Sequence, residues 1–167
     1  PKYPQFFTKA PDTVIAPEDW IPAHTGVTQW LDYEVELAAI IGTEGTNIPK
    51  EKALDHVFGW TIGNDVTGRD LQRRYGQWFK GKSLDRSCPL GPWIVPAAEL
   101  DALNTGIRCF VNGEKRQESN TAKMIFDVMG YGREPVPVRY RPVLTRKPVT
   151  CAAPYDKTAS AAAAMRW

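Results

Sequence analysis

Hydrophobic and polar positions alternate most clearly over residues 33–37, where Tyr33, Val35 and Leu37 are apolar and Glu34 and Glu36 lie between them. Residues two apart on a strand share a face. The pattern therefore predicts a strand with two carboxylates on one side and a core-facing side opposite. It runs on into Ala38-Ala39-Ile40-Ile41. A second apolar run, Val57-Phe58-Gly59-Trp60-Thr61-Ile62, predicts a strand over 59–66 that delivers Asp65 at its end. Ile107 to Val111 alternates, Asn112-Gly113 follows, and Glu114 to Gln117 returns. Asn-Gly tolerates positive φ at both turn positions, so this predicts a two-residue hairpin. Short extended pieces are expected at 5–8 and 13–15, and a strand at 93–95. A short helix is expected over 49–58, a helical turn and loop over 67–81, a short loop or turn over 97–103, and a helix opening at Asn120-Thr121 with Met124, Ile125 and Val128 on one face. The fold class is mostly β with short helices.

Composition narrows this picture. The chain has 167 residues, enough for one domain with a real core, and a net charge of +2 with scattered Lys and Arg. That distribution gives no case for nucleic acid. No apolar stretch reaches membrane-spanning length and no secretory signal is evident, so a cytoplasmic protein is expected. Cys88, Cys109 and Cys151 have no metal-ligand spacing and read as ordinary thiols in a reducing setting. His24, between Pro22 and Gly26, reads as a turn residue, and His56 as a surface or packing residue.

The candidate chemistry lies in the first two strands. Taken alone, a Glu-x-Glu pair is more often an exposed acidic face balanced by lysines. Here both strands look too apolar for a surface. Two buried carboxylates repel and are costly without compensation. A hard divalent cation, Mg²⁺ or Mn²⁺, would supply it, with Glu34, Glu36 and Asp65 as ligands. Arg69, Arg73 and Arg74, taken as residues alone, read as solvated.

Glu34-Val35-Glu36, Asn64-Asp65, Gly76-Gln77-Trp78, Gly81-Lys82-Ser83, Pro89-Leu90-Gly91-Pro92-Trp93 and Val111-Asn112-Gly113-Glu114 resemble, in this order, the fumarylacetoacetate hydrolase family. Thr8-Lys9 and Asn120-Thr121 fit as well, and the resemblance spans about residues 3–128. It implies a rolled, mixed β-sandwich, apparently incomplete at both ends, and a metal-dependent hydrolase that cleaves a C–C bond in an acylpyruvate-like or diketo acid. Decarboxylation or isomerisation of a related dienoic diacid, or an inactive truncated domain, are the alternatives. By the resemblance the arginine-rich segment with Arg69, Arg73 and Arg74 is a carboxylate-recognition loop, Arg69, Gln72 and Gln77 are substrate-binding, and Lys82 is the catalytic lysine beside the carboxylates, with Lys80 the competing candidate. The partner is a small oxoacid, with a homodimer expected. The family's upstream lid His–Glu pair is not found in this sequence. Residues 130–167, with Pro135, Pro137, Pro142, Pro148 and the alanines 161–164, do not resemble the family. They read as an irregular tail beyond a partial catalytic domain, 1–129.

Overall fold

A computed structural model describes residues 5–127, and the backbone of 162–165. The elements are β1 (Val14–Ile15), β2 (Leu31–Asp32), β3 (Val35–Ile41), β4 (Val57–Asn64), β5 (Thr67–Gly68), α1 (Arg69–Tyr75), α2 (Phe79–Lys82), β6 (Cys88–Pro96), β7 (Gly106–Val111), β8 (Glu114–Asn120) and β9 (Ala162–Met165). Single 3₁₀ turns occupy Pro11–Thr13, Ala97–Glu99 and Thr121–Lys123, and a longer 3₁₀ segment Lys50–His56. The fold is mostly β with few short helices, as the patterning predicts. The four-stranded sheet has the order β1-β6-β4-β3, β2 pairs with β5, and β8-β7-β9 form a third sheet.

The chain forms two compact units, residues 1–36 with 62–92, and 37–61 with 93–167. The first carries the chemistry. In it β1 runs parallel to β6, pairing Val14 with Cys88. The two-residue strand β2 pairs antiparallel with β5, setting Leu31 opposite Gly68 and Asp32 opposite Thr67. Two backbone bonds extend this junction: Asp65 N–H donates to the Glu34 carbonyl at 2.9 Å and Arg69 N–H to the Trp30 carbonyl at 2.8 Å. The Asn64 side chain accepts from Glu34 N–H at 3.1 Å. Val66, Leu71 and Leu84 are buried here. Gly81 is required where α2 meets α1, because a Cβ there would lie 2.7 Å from Gln72 N and 2.8 Å from Gly68 O.

In the second unit the expected hairpin is present. β7 pairs with β8 around Asn112 and Gly113, both at positive φ (53° and 82°), with a register shift between Cys109 and Phe110. Ile107, Cys109 and Val111 are buried on alternate positions.

Several expectations change. No strand forms over 5–8. The short helix expected over 49–58 forms as a 3₁₀ segment over Lys50–His56, and Val57 and Phe58 belong to β4. The chain opening at Asn120 does begin with a cap, the side chain accepting from Ala122 N–H at 2.8 Å, but stops after one 3₁₀ turn. Met124 and Ile125 are 40% and 72% exposed, so no buried face repays continuation. Strand β3 is half-buried and not core-like, whereas β4 is largely buried. Within the tail read as irregular, Ala162–Met165 is a strand parallel to β7. Val128, Cys151 and the prolines of the tail lie outside the described residues.

Candidate metal centre

Glu34 stands directly before β3 and Glu36 on it, their carboxylates come together, and the Asp65–Glu34 backbone bond brings in the third. One carboxylate oxygen from each of Glu34, Glu36 and Asp65 lies within 4.8 Å of the others. Asp65 is buried, Glu34 half-buried and Glu36 exposed as a residue.

Lys82 is 2% exposed. Its Nζ lies 2.7 Å from Glu34 Oε1 and 2.6 Å from Asp65 Oδ2. Lys80 is exposed, its Nζ 4.3 Å from the centre of the Tyr75 ring. Of the two competing lysines, the structure brings Lys82 to the carboxylates. It reaches them because α2 ends on it and Gly81 lets α2 close onto α1.

Two residues beside the cluster were not legible in the patterning. Lys9 donates to Asp65 Oδ1 at 2.7 Å and to the Val66 carbonyl at 3.1 Å. Thr67, fully buried, lies 2.9 Å from both Glu34 Oε1 and the Asp65 carbonyl. A hydroxyl has one proton, and the ionised Glu34 is the stronger acceptor. A lysine in a Pro-rich extended segment was the only local signal for Lys9, and Thr67 had none.

Arg69 is not solvated. It bonds Asp32 Oδ2 at 2.8 Å, Glu34 Oε1 at 2.7 Å and Gln72 Oε1 at 3.1 Å. Arg73 stacks over Trp30 at 4.3 Å, and Arg74 is exposed. Of the three expected substrate contacts, Arg69 and Gln72 thus stand on the Glu34 side. Gln77 instead lines a groove of about 580 Å³ with Phe6, Phe7, Thr8, Trp78 and Phe79. The histidines are elsewhere: His24 Nε2 lies 2.9 Å from the Asp85 carbonyl, and His56 Nδ1 3.0 Å from the Thr43 carbonyl.

The carboxylates differ in character. Burial acts to raise Glu34, but the hydrogen bond and charge of Lys82, with Thr67 and Arg69, outweigh it and hold this carboxyl below the usual range. Glu36 is pushed up to about 7, by loss of water around its carboxyl and by repulsion from Asp65 and Glu34. Among the described residues no ion pair reaches Glu36. A set of hard oxygen donors with one uncompensated carboxylate fits a divalent cation.

The pattern of the family described as fumarylacetoacetate (FAA) hydrolase C-terminal matches residues 1–130. The chain belongs to this family. It is 49% identical over 129 residues to an oxaloacetate tautomerase of Bacillus subtilis (strain 168), covering 77% of this chain and 43% of that protein. Among solved structures it is similar to a fumarylacetoacetate hydrolase from Exiguobacterium antarcticum (51% identity, TM-score 0.72), covering 74% of this chain and 45% of that one. It is also similar to a fumarylpyruvate hydrolase from Pseudomonas aeruginosa in complex with Mn²⁺ and pyruvate (35% identity, TM-score 0.71), covering 83% and 63%. The chain spans under half the length of the first two relatives. Among the described residues no helix is long and apolar enough to cross a membrane.

Proposed function

We propose that this region carries divalent-metal-assisted enolisation of a 2-oxoacid, with keto–enol tautomerisation as the net reaction. The observation that carries the reading is the Glu34–Glu36–Asp65 cluster with the ammonium of Lys82 buried against it. Glu34, Glu36 and Asp65 would hold Mg²⁺ or Mn²⁺, which as a Lewis acid polarises a carbonyl when bound. Lys82 has three N–H donors. Glu34 and Asp65 take two, which leaves one for the substrate oxygen that gains negative charge as the C3–H bond breaks. Because Lys82 is anchored by both carboxylates, that donor is held in place before substrate arrives. Lys9 holds Asp65 from the other side, and Arg69 holds Glu34 between Asp32 and Gln72. The proton lost from C3 returns to the enol oxygen in the net reaction, so no water is consumed.

The 49% identity to an oxaloacetate tautomerase favours this reading. C–C hydrolysis of an acylpyruvate-like or diketo acid is the second, favoured by the likeness to a fumarylpyruvate hydrolase. Both place negative charge on the 2-oxo oxygen, but tautomerisation breaks C3–H whereas hydrolysis adds water at C4 and breaks C3–C4, so exchange of the C3 protons of oxaloacetate or a 2,4-dioxo acid for deuterium reads the tautomerisation step. With Mn²⁺ the parent chain is expected to accelerate exchange, and Lys82→Met to lose it. Exchange at the buffer rate in a chain that binds Mn²⁺ would overturn the reading. Release of pyruvate from an acylpyruvate would select hydrolysis over tautomerisation.

A further inference from the structure

The groove beside the cluster has a chemistry of its own. Phe6, Phe7, Trp78 and Phe79 give it aromatic walls, Gln5, Thr8 and Gln77 give it neutral polar groups, and among the described residues its lining contains no Lys, Arg or His. Its Phe7 wall lies against Lys82. That ring lies 5.5 Å from the Trp78 ring, and the Lys82 ammonium sits 4.6 Å from its centre. Thr8 precedes Lys9, which holds Asp65. Of the cations near the groove, Lys9 is held by Asp65, Lys82 by Glu34 and Asp65 with its third donor assigned to the reacting 2-oxo end, and Lys80 lies over the face of Tyr75.

We propose that this groove seats the arm of the oxoacid beyond its reacting 2-oxo end, and that this arm is neutral and unsaturated or aromatic, not a second carboxylate. The proposal rests on the enolisation reading. A carboxylate placed here would lose water and gain no charged partner. A conjugated or phenyl arm would stack on Phe7 and Trp78, and Gln77 would serve one neutral carbonyl.

The test measures the affinity of the Mn²⁺-loaded chain for 4-phenyl-2,4-dioxobutanoate and for oxaloacetate by calorimetry. The phenyl acid is expected to bind at least about tenfold more tightly. Trp78→Ala should remove that preference and leave oxaloacetate unaffected. Gln77→Lys, an exposed position, should reverse the preference by giving the groove a cation. Equal or tighter binding of oxaloacetate by the parent would overturn the proposal and leave the enolisation reading standing. Equal weakening of both acids by Trp78→Ala, with no reversal in Gln77→Lys, would also overturn it. Binding of neither acid would overturn both readings together.

Discussion

Lys82–Asp65 and Arg108–Glu118 are ion pairs of the same length, 2.6 Å. The first pair is 2% and 3% exposed, the second 45% and 42%. Arg108 and Glu118 face each other across the β7–β8 hairpin, in water, where charges are screened and either side chain can leave without consequence. Lys82 and Asp65 have lost their water and depend on each other. Distance alone therefore does not rank ion pairs. Burial decides whether a pair is surface complementarity or a constraint that the surrounding fold must satisfy. In the carboxylate cluster the ammonium that balances Glu34 and Asp65 is the one to which the proposed function gives a donor for substrate.

The largest contrast is expected from removing the lysine. Lys82→Met should cost about 1.5–3 kcal/mol in urea unfolding of the metal-free chain, since it takes one of two cations from buried Asp65 and one of two from half-buried Glu34, leaving Lys9 and Arg69 in place. Millimolar Mg²⁺ or Mn²⁺ should restore part of the loss. A cost comparable to a surface substitution would mean that the cluster is hydrated and not a buried site.

Thr67 sharpens the comparison within the cluster. Thr67→Val keeps the shape but deletes the hydroxyl that holds Glu34, and should cost about 1–3 kcal/mol. It should weaken Mn²⁺ binding about 10–100-fold, whereas Thr67→Ser should retain most of the affinity. Equal losses in the two variants would assign Thr67 to packing alone.

The acidity of the two glutamates gives a pH test. Glu36 is raised from 4.5 to about 7 in the fold, so the native state binds the extra proton between these values. Its unfavourable contribution is fully present above about pH 7 and absent below 4.5. Stability of the metal-free chain should therefore fall as pH rises from 4.5 to 7, and Glu36→Gln should flatten that slope. Glu34, with its lowered value, acts oppositely: its contribution is kept above 4.5 and lost as pH falls through its folded value. An unchanged slope in Glu36→Gln would place the titrating group elsewhere. At the small end, Arg108→Ala should leave the urea midpoint almost unmoved, and a clear shift would remove the contrast with Lys82.

The two glutamates were legible because their spacing is local: they are two residues apart, with Glu34 directly before β3 and Glu36 on it. The Asn112-Gly113 hairpin was legible for the same reason. Lys82 was reached through the family resemblance, and its separation from Lys80 required the α1–α2 packing at Gly81. Lys9 and Thr67 were not legible as members of the cluster, since the Lys9–Asp65 contact joins residues 56 apart and Thr67 is set by a two-residue pairing with β2. The helix after Asn120 failed because its cap was visible while the exposure of Met124 and Ile125 was not.

The most direct test of the central claim is thermal unfolding of the chain with and without Mn²⁺, beside a Glu34→Gln, Glu36→Gln double variant. A cation that binds only the native state adds stability by mass action, about 2.7 kcal/mol at one hundred times its dissociation constant. The account predicts a cooperative transition that Mn²⁺ raises in the parent and not in the double variant. A parent transition indifferent to Mn²⁺, or an equal rise in both proteins, would contradict a metal centre at Glu34, Glu36 and Asp65.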